Sequence, residues 1–204
     1  MIPSPMRFSI TSTLLVLTLG ILASVASAQN SSGNRLYDQG LDLQEKAEYK
    51  RSSEHFKKAA AAFEASQSWS QLAKSYNELS YNARFQNELK QAQEFAEHVL
   101  TLDKQHQTVA PREVANAYHN LGTVAAQQGN PKAALKQLKK GLAVAQNQKI
   151  ATSLRANIIA SLGSAYQDLG NYEQALAEFQ RGLRLLNPDT SAHQKPLATL
   201  YNYM

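Results

Sequence analysis

The stretch that decides the fold is residues 157–188, NIIASLGSAYQDLGNYEQALAEFQRGLRLLNP. Its pattern matches that of residues 116–146, NAYHNLGTVAAQQGNPKAALKQLKKGLAVAQ. The two stretches align without a gap, with Gly163 against Gly122 and therefore an offset of 41 residues. Self-similarity at a fixed period of this size is the signature of a repeat architecture, in which stacked units bury a continuous core.

Two fainter copies precede these stretches. In every copy a small residue is followed twelve positions later by a second small residue. The first set is Gly40, Ser80, Gly122 and Gly163, and the second set is Ser52, Ala92, Ala134 and Ala175. The matching registers predict four repeats, at about residues 34–66, 69–105, 113–147 and 154–188.

Each unit has the pattern of two helices joined by a tight turn. Ile159, Leu162 and Tyr166 are spaced three and four residues apart, which places them on one helical stripe. Gly170 can adopt the left-handed conformation that ends a helix, and a second helix resumes at Tyr172. No alternating strand pattern follows residue 29, so we expect an almost wholly helical chain.

These units resemble tetratricopeptide repeats. The Leu-Gly pair, the Gly-Asn-aromatic turn and the Ala-Leu pair of residues 157–188 carry the resemblance. The usual unit has 34 residues, and the spacing here is similar to the longer type, about 40 residues, found in kinesin light chains and many bacterial exported proteins. The resemblance implies an all-α, right-handed solenoid of antiparallel helix pairs over residues 29–190, with four repeats and a partial fifth helix.

The resemblance also implies a concave groove, lined by the first helix of each unit, that holds a protein or peptide partner. Residues flanking the small residue of each first helix are the candidates. They are Lys74, Asn77, Tyr81, Arg84, Asn116, His119, Asn120, Thr123, Asn157, Ser161, Ser164 and Gln167. A wall rich in amides and hydroxyls suits hydrogen bonding to a peptide backbone. An ordinary solvated helix face is the competing interpretation, and the Lys/Asn/Arg set of carboxylate-clamp repeats is incomplete here.

The first 28 residues have the layout of a secretory signal peptide. One positive charge, Arg7, precedes an apolar stretch from about Leu14 to Ala23, and Ala26-Ser27-Ala28 supplies the small residues of a cleavage site. We predict cleavage between Ala28 and Gln29, and hence a periplasmic or secreted protein without a membrane attachment. An uncleaved anchor is the alternative, but such an anchor needs about 20 apolar residues.

The composition argues against several classes of function. The chain has no cysteine, a formal net charge of +5, and five histidines without metal-ligand or catalytic spacing. We therefore expect no enzyme activity, no cofactor, no metal and no nucleic-acid partner.

The last residues, 191–204, have the pattern of the start of a further helix. This segment is either a short cap or the point where a longer protein continues, and we expect the latter. Two functions follow: an exported interaction scaffold, or the N-terminal sensor array of a longer exported enzyme such as a caspase-like peptidase. Self-association through the apolar segment ending in Tyr201, Tyr203 and Met204 is a third possibility.

Overall fold

The computed structural model describes residues 10–148, 150–186 and 194. Within these residues all regular structure is helical, which confirms the all-α prediction. The helices are α1 (Ile10–Glu45), α2 (Tyr49–Ala65), α3 (Trp69–Phe85), α4 (Leu89–His106), α5 (Pro111–Gln127), α6 (Pro131–Asn147), α7 (Thr152–Asp168) and α8 (Tyr172–Arg184). The predicted partial fifth helix, 191–204, lies outside the described residues, except for Gln194.

The helices stack as pairs. Each helix packs against the next one in the chain, and α3, α5 and α7 also contact one another in sequence. A three-residue turn reverses the chain within each pair, so α1 pairs with α2, α3 with α4, α5 with α6 and α7 with α8. This arrangement is a helical repeat solenoid, in which the first helices form one continuous wall.

The turn inside each pair uses the same backbone geometry. Ala47, Asn87, Gly129 and Gly170 occupy equivalent positions and have φ values of 58°, 61°, 75° and 75°. The left-handed conformation predicted for Gly170 is therefore confirmed. Only glycine adopts it without a steric penalty, since a Cβ atom approaches the following carbonyl oxygen.

We expect Ala47→Gly to raise the free energy of unfolding by about 1 kcal/mol, because glycine relieves the strain of the left-handed turn. Equilibrium urea denaturation followed by far-UV circular dichroism measures this change. The control is Ala61→Gly at an exposed position inside α2, where the same exchange should lower the free energy of unfolding by about 1 kcal/mol. Equal effects of the two substitutions would contradict the prediction.

Small residues let the two helices of a pair pack closely. A Cβ atom added to Gly163 would lie 2.6 Å from Cδ1 of Phe179, and one added to Gly40 would lie 2.6 Å from Cε1 of Phe56. The space above each glycine is thus filled by a large side chain from the second helix. These contacts set the distance between the two helices of a pair.

The first helix continues across the predicted cleavage position without a break. In the part of α1 whose burial is described, residues 24–45, residues 24–28 are mostly exposed and the first buried residue is Gly33. Among the helices that the structure describes, none combines the length and the apolar character that a membrane span requires.

Candidate peptide-binding groove

Hydrogen bonds between side chains join the first helices of successive units. Between α1 and α3, the Tyr37 hydroxyl and the Gln44 amide donate to the two carboxyl oxygens of Glu78, each at 3.1 Å. Gln44 also donates to Oδ1 of Asn82 at 2.8 Å. Burial raises the pKa of the Glu78 carboxyl, although both donors favour its charged form and oppose that rise.

Between α3 and α5 the contact is a buried chain of amides. Asn77 donates to the backbone oxygen of Glu113 at 3.0 Å and to its carboxylate at 2.9 Å. Asn120 donates to the backbone oxygen of Asn77 at 3.1 Å. Both asparagines are buried, so these two predicted groove residues use their amides to join units and lie behind the surface that a partner would touch.

Between α5 and α7 a histidine replaces the amides. His119 Nε2 lies 2.9 Å from the Ser161 hydroxyl. Burial, and secondarily the positive charge of Arg84, lower the pKa of His119 to about 4. The imidazole is therefore neutral near pH 7, and its Nε2 can either donate to Ser161 or accept from it.

An aromatic cluster forms the edge of the wall near the turns of the first two units. The rings of Tyr49 and Phe85 stack with centroids 5.0 Å apart, and Tyr81 lies 4.6 Å from Phe85. The Arg84 guanidinium lies 4.6 Å from the Phe85 ring and 5.3 Å from the Tyr81 ring. Phe85 remains 49% exposed, so this cluster offers an apolar, cationic contact surface to a partner.

Four of the predicted residues meet at one cavity of about 200 Å³ that is lined by α3, α5, α6 and α7. They are Arg84, Thr123, Ser161 and Ser164. The remaining lining residues, which the sequence did not predict, are Gly122, Ala126, Gln127 and Leu138. The polar residues that line this cavity therefore come from three successive repeats.

The other predicted residues do not converge on that cavity. Lys74 is exposed, with Nζ 4.1 Å from the Tyr37 ring centroid. Asn116 and Asn157 are half-buried, and Gln167 is exposed. The predicted set did not include Glu78. This residue lies two positions before Ser80, just as Asn120 and Ser161 lie two positions before the small residue of their own units. Applying that register to the second unit would have found it.

A larger cavity, of about 310 Å³, lies between α2, α3 and α4. Its charged lining residues are Lys50, Lys57, Glu54 and Glu88. Because these charges balance, the cavity does not favour a cation or an anion. Across the part of the chain that the structure describes, no group of three or more histidine, aspartate or glutamate side chains is placed to hold a metal ion.

Comparison of structures places the fold among known helical solenoids. The chain superposes on BtubC (BKLC) from P. vanneervenii with a TM-score of 0.62 at 17% identity, covering 78% of this chain and 68% of that one. The apo form of RapI gives a TM-score of 0.68 at 14% identity, covering 85% and 69%. A putative kinesin light chain from Podosopora anserina with TPR-like repeats gives 0.60 at 16% identity, covering 83% and 84%.

The sequence itself matches two family models, both described as tetratricopeptide repeat. One covers residues 73–106 and the other covers residues 113–188, together more than half of the chain. No curated protein matches the sequence. The repeat models and the stacked helix pairs agree, and the chain belongs to the tetratricopeptide repeat family.

Proposed function

We propose that this tetratricopeptide repeat scaffold is an exported protein that binds an extended peptide or a partner helix in its concave groove and performs no chemistry. Repeats of this family serve as protein–protein interaction scaffolds, typically without catalysis. The observation that carries the groove assignment is the convergence of Arg84, Ser161 and Ser164 on one cavity beside an exposed aromatic cluster.

The energetic roles of the wall residues support this assignment. The buried amides of Asn77 and Asn120 hold the first helices together, so the wall is rigid before a partner arrives. Preorganisation lowers the entropy cost of binding. Phe85, Tyr81 and Arg84 are residue types enriched in the cores of protein interfaces, where an aromatic ring or a guanidinium group buries a large area.

The helix lengths support export with cleavage after Ala28. Removal of residues 1–28 would leave α1 as residues 29–45, the same length as the 17-residue α3. Gly40 and Ser80 are equivalent, so Gln29 is the equivalent of Trp69, where α3 begins. The proposed cut would thus release a first unit whose first helix is as long as α3, α5 and α7, and residues 24–28, which precede the cut, are mostly exposed.

The intact mass of the chain, expressed in its source cells and recovered from the exported fraction, tests the export step. We expect the mass of a chain that starts at Gln29, and Ala28→Arg should block the cut, because signal peptidase accepts small residues there. Ala61→Arg, on the exposed face of α2, is the matched control. A chain that keeps residues 1–28, or that stays inside the cell, would refute the export proposal.

Photo-cross-linking in the cell tests the groove separately. A photoreactive phenylalanine at Gln167, exposed on a first helix, should capture a partner, whereas one at Lys136, exposed on the second helix α6, should not. Arg84→Glu should reduce the yield from Gln167. Equal capture at both positions would contradict binding in the groove.

A further inference from the structure

The exposed face of α6 carries a cluster of positive charge. Residues 114–167 contain five lysines and one arginine but no aspartate or glutamate, whereas the rest of the chain has 15 basic and 16 acidic residues. The formal net charge of +5 therefore originates entirely in this stretch. Four of its lysines lie on α6 and are exposed, and they are referred to below as the lysine face: Lys132, Lys136, Lys139 and Lys140.

The lysine face extends sideways over the two neighbouring first helices. Its spacings of three and four residues place successive charges about one helical turn apart on the same side of α6. Nζ of Lys139 lies 5.7 Å from the ring centroid of Tyr166 on α7, and Nζ of Lys140 lies 5.6 Å from the ring centroid of Tyr118 on α5. The positive surface therefore reaches from α6 towards both helices that pack against it.

Helix stability does not explain the lysine face. An ion pair joins two residues of α4 and another joins two residues of α8, but no ion pair between described residues involves α6. Lys136 has a like charge four residues away on each side, at Lys132 and Lys140. Like charges at this spacing destabilise a helix. A local arrangement that lowers stability indicates a functional constraint.

We propose that the lysine face docks the solenoid on the surface of an anionic lipid bilayer. Lysine ammonium groups are hydrated point charges without the fixed fork of arginine, so they suit a diffuse layer of anionic headgroups better than positioned carboxylates. Among the described residues, none of the exposed large apolar side chains lies on α6. The cores of protein interfaces have the opposite composition, because they are depleted in lysine and enriched in aromatic residues, methionine and arginine. The composition of the face therefore favours a membrane surface over a protein partner.

The choice of a membrane over a nucleic acid rests on the proposed function, because an exported chain is separated from the nucleic acids of the cell. The contact is electrostatic and reversible, since the lysine face offers no exposed large apolar side chain for insertion into lipid. This docking departs from the expectation, drawn from the sequence, of a chain without membrane attachment. The groove is lined by first helices and the lysine face lies on a second helix, so docking leaves the groove accessible to its partner.

Co-sedimentation of the purified full chain with lipid vesicles tests the proposal. Vesicles of equal parts phosphatidylcholine and phosphatidylglycerol should bind the chain more tightly than vesicles of phosphatidylcholine alone. The neutral vesicles also measure any binding through the apolar stretch from about Leu14 to Ala23, which does not depend on lipid charge. Raising the salt concentration from about 0.1 M to about 1 M should release the chain, because the Debye length falls from about 10 Å to about 3 Å.

The double variant Lys132→Gln with Lys136→Gln should weaken binding to the anionic vesicles about thirtyfold, since each lysine near such a surface contributes about fivefold. It removes like charges from α6, so we expect it to fold. Lys57→Gln with Lys58→Gln, two exposed lysines on α2, is the matched control, because it changes the net charge equally. The control should weaken binding by less than about threefold. Equal weakening by the two double variants would show that net charge alone attracts the chain, and would overturn the proposal.

The failure of this inference can be separated from the failure of the proposed function. Equal binding to anionic and neutral vesicles would refute membrane docking, while the mass of the exported chain and cross-linking at Gln167 still test export and the groove. Binding to duplex DNA that requires Lys132 and Lys136, without a preference for anionic vesicles, would replace the membrane by a nucleic acid. With docking, a photoreactive phenylalanine at Lys136 should form an adduct with lipid and none with a protein.

Discussion

Phe179→Ala lowers the free energy of unfolding by about 3–5 kcal/mol, the range for removing a buried aromatic ring. Phe179 is 2% exposed, and its ring occupies the space above Gly163. Gly163→Ser alone should cost about 1–3 kcal/mol through overpacking, because its Cβ would lie 2.6 Å from Cδ1 of the ring. Urea denaturation at equilibrium, followed by far-UV circular dichroism, measures both values.

The second unit shows why the double variant should recover stability. There the equivalent positions are Ser80 and Ala96, and the Ser80 hydroxyl donates to the backbone oxygen of Ala92 at 2.7 Å. The combination Gly163→Ser with Phe179→Ala reproduces this arrangement in the fourth unit. We expect the double variant to lose about 1–3 kcal/mol less free energy of unfolding than the sum of the losses in the two single variants, because residues in contact have coupled effects. Strict additivity would show that the two positions do not share one space.

The sequence was sufficient to predict the fold because the repeat imposes the same restraints four times. Gly170 predicts the left-handed turn in the fourth unit. Ala47 and Asn87 occupy the equivalent positions in the first two units and have the same left-handed backbone, although their residue types alone give little or no indication of it. A helix-forming residue such as Ala47 adopts the left-handed conformation because the packing on both sides requires the turn. The register therefore carries information that local propensity lacks.

The candidate site could be predicted only in part. The register correctly placed Arg84, Ser161 and Ser164 on first helices, and the structure brings them to one cavity. It could not distinguish Asn77 and Asn120, which face the neighbouring helix, from residues that face the groove. The rotation of each first helix, which depends on how large side chains fill the space between units, decides which polar residues remain accessible.

Asn77→Leu lowers the free energy of unfolding by about 3 kcal/mol at pH 7, although leucine has a similar size and is more hydrophobic. The substitution removes the donor to the backbone oxygen and the carboxylate of Glu113. Glu113 is 8% exposed, so its carboxylate would stay buried without this hydrogen bond. Asn120 would also lose Oδ1 of Asn77, 3.3 Å away, as an acceptor.

The pH dependence of this cost separates a lost hydrogen bond from a simple packing defect. Burial raises the pKa of Glu113 above its usual range, and the hydrogen bond from Asn77 opposes that rise. Asn77→Leu removes the opposing effect, so the folded-state pKa of Glu113 rises further above its unfolded value. A raised folded-state pKa of a carboxyl means that stability is lost as pH increases from the unfolded pKa through the folded one.

The cost of Asn77→Leu should consequently be larger at pH 7 than at pH 4.5, where the unfolded carboxyl is half protonated. Urea denaturation at both pH values measures the difference. Asn116→Leu is the matched control, because Asn116 is half-buried on a first helix and its exchange should change stability by less than about 0.5 kcal/mol at either pH. A cost that is the same at both pH values would mean that packing, and not the Glu113 carboxylate, determines the role of Asn77. The packing of α3 against α5 would then depend on side-chain volume, and the wall would tolerate other polar residues at this position.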